Sequence, residues 1–192
     1  MAALIDIIGA GIIVGILFLT IFGLGANLSQ ASYENSFTYQ LQSNTTTIAR
    51  IIESDLVKVG YHVPAGTEIT AATASSVTFK ADLKDNGTIN TVQYYVGTTS
   101  EAAVIATKNP RDIVLYRVVD GQTIEANVGV TGLQLKYFDA AGNETMTLNQ
   151  IRSIYVKVNL ESPERAIKTT DTAADTSYPG VFWEKTVFPR NL

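Results

Sequence analysis

The sequence predicts an α+β fold: a long N-terminal helix, half membrane-spanning and half amphipathic, packed on an antiparallel β-sheet. Three observations predict it. An unbroken apolar run fills Ile7–Ala26 (IIGAGIIVGILFLTIFGLGA), about the 20 residues needed to cross a bilayer. Beyond it the apolar residues thin to a stripe, Phe37, Leu41, Ile48, Ile52, Leu56 and Val59, at the steps of three, four and seven that mark an amphipathic helix. From Ser75 the period changes to two, with turn residues between short segments, which is the pattern of a meandering antiparallel sheet. The chain therefore divides into a transmembrane half-helix (1–26), an amphipathic stalk (27–60) and a globular sheet domain (61–192).

In the membrane half, Asp6 is the single charge between Leu4 and Ala26. Gly11 and Gly15 place two small residues on one helical face, where another helix can approach closely. Gly23 and Gly25 sit at the exit; each weakens a helix by up to about 1 kcal/mol relative to alanine, which predicts a hinge at the interface. In the stalk, Thr45-Thr46-Thr47 is a poor helix former, so packing must hold it. Arg50 and Glu53 are spaced for an i, i+3 pair. Gly60, with Pro64 after it, is the expected stop. The apolar stripe from Phe37 through Leu41, Ile48 and Ile52 to Leu56 is the face expected to cover the sheet.

Strands are expected at Ser75–Leu83, Thr88–Val96, Asp112–Val119, Thr131–Phe138, Arg152–Leu160 and Val181–Phe188. Asp85-Asn86-Gly87, Asp120-Gly121 and Asp139 to Asn143 supply turns, since these residues bond their own backbone or accept left-handed conformations. Pro163–Ser177 is polar and reads as a surface loop.

Composition narrows the function. The net charge is −4, with 14 Lys+Arg against 18 Asp+Glu, and no basic run, so nucleic acid is not an expected partner. There is no cysteine, hence no disulfide, thiolate metal site or cysteine nucleophile. His62 is the sole histidine and supports no Ser/His/Asp arrangement. No phosphate-binding glycine loop is present. An enzyme is not expected, and neither a cofactor nor a metal; the acidic turns Asp82–Gly87 and Asp139–Glu144 offer calcium-type oxygens but read first as turns. Asn27, Asn44, Asn86 and Asn143 each begin a glycosylation tripeptide, a short pattern common by chance in a threonine-rich chain. A cleaved signal peptide fits poorly, because no basic residue precedes the run and the run is too long.

Three segments together resemble one family. The first is Ala2-Ala3-Leu4-Ile5-Asp6 ahead of the apolar run, which puts an acid fifth once Met1 is removed. The second is Ile48-Ala-Arg-Ile-Ile-Glu-Ser-Asp-Leu56 followed by Gly60-Tyr61. The third is the ordered series Leu115-Tyr-Arg117, Asp120-Gly121, Gly129-Val-Thr-Gly-Leu133, Tyr137-Phe-Asp139, Gly142, Ile151 to Val158 and Arg190-Asn191. In these the chain resembles the type IV pilin-like proteins, more narrowly the J-type or W-type minor pseudopilins of type II secretion and type IV pilus systems. It departs from them in having Asp where the family has Glu, and in lacking a basic, glycine-ending leader before the run.

The resemblance implies a structural filament subunit. It would be held in the inner membrane by a single span with its globular domain outside the cytoplasm, and then incorporated into a periplasmic or surface filament. Its partners would be the bilayer, other pilin-like subunits and the inner-membrane assembly machinery. It also implies that Asp6 meets the α-amine of a neighbouring subunit, the group carried by Ala2 after processing, and so sets axial register. The alternative from a different class is a membrane-anchored binding module that enters no filament.

Overall fold

The structure, a computed structural model of the 192-residue chain, describes residues 2–104, 107–126, 129–165 and 178–192, with the side chains of 2–5, 30, 34 and 102–104 left aside. Two compact units are present, Met1–Tyr39 and Gln40–Leu192. A helix, α1 (Ala2–Val57), supplies the described residues of the first and the opening residues of the second. The fold is α+β: one long N-terminal helix followed by antiparallel sheets.

In the first unit, the large apolar side chains Ile7, Ile12, Val14, Phe18, Leu19, Phe22 and Leu28 are all well exposed. Phe18 and Phe22 stack on each other, their ring centroids 6.5 Å apart. Thr20, the polar side chain inside the run, donates its hydroxyl to the Ile16 carbonyl at 2.8 Å, so the helix satisfies it without solvent. Among the described residues α1 is the one helix long and apolar enough to cross a membrane.

In the second unit the end of α1 is amphipathic. Leu41, Ile48, Ile52 and Leu56, with Val59 just past the helix, are buried in the core. Phe37 belongs to the first unit, is half-buried, and is not part of that core. The three threonines hold their places by donating hydroxyls to the carbonyls four residues back, Leu41, Gln42 and Ser43, at 2.7–2.9 Å. Gly60, at φ +79°, turns the chain out of the helix; a Cβ there would stand 2.8 Å from the Asn191 carbonyl oxygen, so both backbone and space demand glycine.

The expected single meander is instead two sheets. Strands β1 (Ile69–Ala72), β2 (Ser76–Ala81), β3 (Asn90–Val96), β4 (Leu115–Val119) and β5 (Gln122–Ala126) form one, in that order; β6 (Val130–Phe138), β7 (Ser153–Glu161) and β8 (Gly180–Val187) form the other. All neighbouring strands are antiparallel. The sheets are tied where the Leu135 N–H donates to the Ala74 carbonyl (2.8 Å) and the buried Tyr137 hydroxyl donates to the carbonyls of Thr73 (2.9 Å) and Ser76 (3.0 Å). One core joins them to α1: Val77, Phe79, Val92 and Leu115 from the first sheet, and Leu133, Leu135, Ile154, Val156 and Val158 from the second, meet Ile48, Ile52 and Leu56.

Two other expectations change. The strand expected at Asp112–Val119 starts only at Leu115, because Ile113 donates its N–H to Val130 of the second sheet at 2.8 Å. A short helix, α2 (Thr99–Val104), follows β3. Of the expected loop Pro163–Ser177, residues 166–177 lie outside the described residues.

Candidate functional site

An apolar helix surface is the first candidate. Asp6 is exposed, one residue before the run. Around Gly11, Gly15, Gly23 and Gly25 a Cβ would meet nothing within 4 Å. The chain itself therefore gives these positions no reason to be small, whereas helix-to-helix approach in a membrane does. α1 runs unbroken through Gly23 and Gly25. Ala2 opens the helix, but its side chain and the whole of Met1 lie outside the described residues. What this surface can do is bury itself in lipid or against similar helices; within the apolar run and the residue before it, the one ionisable group among the described residues is the Asp6 carboxylate.

The second candidate is a polar lock within the second unit, not foreseen from the sequence. Asp55, 7% exposed, is buried on the core side of α1. Its Oδ2 accepts the Tyr94 hydroxyl from β3 at 2.6 Å and the Arg117 Nε–H from β4 at 2.7 Å, while a terminal guanidinium N–H of Arg117 reaches Oδ1 at 3.2 Å. The same Nε lies 3.1 Å from the Tyr94 oxygen, closing the triangle. Burial and the Asp55 carboxylate push the Tyr94 phenol far above its ordinary pKa. The hydrogen bond that Arg117 donates to Asp55 raises its own pKa. A carboxylate, a phenol and a guanidinium that satisfy one another offset much of their loss of hydration, and are costly to separate once buried. Glu53, expected to pair with Arg50, instead reaches Lys185 on β8.

The acidic turns serve their own backbone. Asp82 has no exposed surface. Its oxygens accept the N–H groups of Asn86 (3.1 Å) and Gly87 (2.7 Å), and Oδ2 meets His62 Nδ1 at 3.1 Å. Burial raises the Asp82 pKa, but the hydrogen bonds from His62 and the backbone outweigh it and hold the group down at about 2. Asp85 accepts the Tyr61 hydroxyl at 2.9 Å. Ligand atoms of His62, Asp82 and Asp85 lie within 4.8 Å of one another, beside an open groove of about 340 Å³ that Lys58 and Arg190 also line. With the Asp82 oxygens already given to backbone N–H groups, this cluster acts first as a clamp on the β2–β3 turn. At the other acidic turn, Asp139 accepts the N–H groups of Ala141 (2.8 Å) and Asn143 (2.9 Å).

Neither a protein-family model nor a curated protein sequence matches the chain.

Proposed function

We propose that the chain is a structural subunit of a pilin-like filament, of the minor pilin or pseudopilin kind, held in the inner membrane by the first half of α1 until it is assembled. The observation that carries this reading is the apolar run of α1, whose large side chains are exposed and whose glycines are unfilled within the chain. Such a surface needs lipid, then sister helices, to cover it. The core-facing half of α1 supports the reading from the other side, since a globular domain built onto the continuation of a membrane helix is carried wherever that helix goes. Heterologous contacts that do not close into a ring extend into a filament.

Asp6 has a role in this scheme. A carboxylate at the edge of the hydrocarbon is costly alone and favourable beside a neighbour's α-ammonium, because each offsets the desolvation of the other. The test is incorporation. When tagged wild-type and Asp6→Ala chains are expressed together, both insert into the membrane. The variant is depleted in sheared filaments by about tenfold or more, equivalent to ~1.4 kcal/mol per subunit contact. Equal shares of the two in the filament fraction would refute the role, and absence of both from any filament favours a membrane-anchored binding module.

A further inference from the structure

Asp112 is 1% exposed, and both of its carboxylate oxygens are buried without a hydrogen-bond partner. They are the only buried side-chain polar atoms so placed among the described residues. Native folds rarely leave a buried carboxylate unsatisfied, since nothing then offsets the loss of its hydration. The surroundings are built rather than incidental. The Asp112 N–H donates to the Asn109 carbonyl at 3.2 Å. The buried Asn109 side chain accepts the Arg111 N–H at 3.0 Å and donates through Nδ2 to Glu161 Oε2 (3.0 Å) and the Ser162 carbonyl (3.2 Å). Asn109 thus ties the 109–112 turn to the end of β7.

The backbone brings the same two segments together. Ile113 donates its N–H to the Val130 carbonyl, and Glu161 donates its N–H to the Gly129 carbonyl, each at 2.8 Å. The 112–113 turn and the end of β7 therefore both bond to the 129–130 backbone. Gly129 keeps that backbone close: at φ +85°, its Cβ would stand 2.3 Å from the Glu161 carbonyl oxygen. Burial pushes the Asp112 carboxyl above its usual range; the Thr107 hydroxyl, near it but short of a formed hydrogen bond, opposes this and the Glu161 charge adds to it. Arg111 and Asn109 both engage Glu161 at Oε2.

We propose that Asp112 anchors a site for a hard divalent cation of the calcium type, completed by Glu161 and the Thr107 hydroxyl. A cation satisfies both Asp112 oxygens at once, whereas a proton converts only one of them to a donor and leaves the other bare. The donor set is all oxygen, which suits calcium rather than a softer metal. Calcium also tolerates the irregular geometry of carboxylates drawn from a turn and a strand end better than magnesium does.

The test is thermal unfolding of the full chain in detergent, in EDTA, in millimolar MgCl2 and in millimolar CaCl2. CaCl2 raises the wild-type midpoint by roughly 3–6 °C over EDTA, and more than MgCl2 does. Asp112→Asn keeps the side-chain size, loses the rise, and melts in EDTA no lower than wild type. Glu161→Gln reduces the rise. Equilibrium dialysis of the wild type against calcium finds one ion per chain, a readout that stands even if a variant fails to fold. A wild type indifferent to CaCl2 that binds no ion overturns the proposal, leaving Asp112 to a proton or a buried water. A rise that Asp112→Asn retains also overturns it, by moving the ion elsewhere.

Discussion

Asp82 and Asp112 are both buried carboxylates, and their neighbours drive them in opposite directions. Asp82 receives N–H groups from Asn86 and Gly87 and a contact from His62, which hold it at about 2 against the pull of burial. A lowered folded-state value means that its stabilising effect is present above the unfolded value of about 3.9 and is lost as pH falls towards 2. Asp82→Asn therefore lowers the midpoint at neutral pH and flattens its fall between about pH 4 and pH 2, which thermal melts of both chains across that range will show. The turn at Asp85-Asn86-Gly87 was legible because those residue types make turns wherever they fall. The orphaned Asp112 was not: its burial depends on Asn109 meeting Ser162 and Glu161, a juxtaposition that no local pattern encodes, and in sequence it looked like the first residue of a strand.

Among the elements, the joint between α1 and the first sheet carries both apolar and polar weight. Ile48, Ile52 and Leu56 supply the apolar part, and their helical spacing made them readable. The polar part, Asp55 with Tyr94 and Arg117, was not readable, because Asp55 sits among charged stalk residues that a pattern assigns to solvent. Removing Asp55 takes away the acceptor that Tyr94 and Arg117 share. Asp55→Ala destabilises the chain by about 3–5 kcal/mol. Adding Arg117→Ala costs less than the sum of the single changes, with a coupling of roughly 1–3 kcal/mol. Denaturant melts of the four chains measure this, and strict additivity contradicts the lock. Strands β2, β3, β6, β7 and β8 fall where the two-residue period placed them. Two strands escaped notice for different reasons: β1 buries only Ile69, while β5 is an exposed edge without alternation. The division into two sheets was hidden as well, since β-period patterns reveal strands but not their partners.

At the scale of the whole molecule, the sequence made the long helix and the α+β class plain, because an apolar run of membrane length and a change of period are signals that tertiary context rarely overrides. Filament assembly is a further step, and it turns on what covers the apolar half of α1. The chain has no cysteine of its own, so single cysteines placed in turn from Ile7 to Leu28 report on that surface without background. The deciding measurement is oxidative crosslinking of these variants in intact cells. The account predicts disulfide-linked dimers, either between two copies of this chain or with a pilin-like chain given a matching cysteine, their yield recurring at about 3.6 residues and peaking beside Gly11 and Gly15. Chains that stay monomeric at every position, while remaining in the membrane, would contradict it.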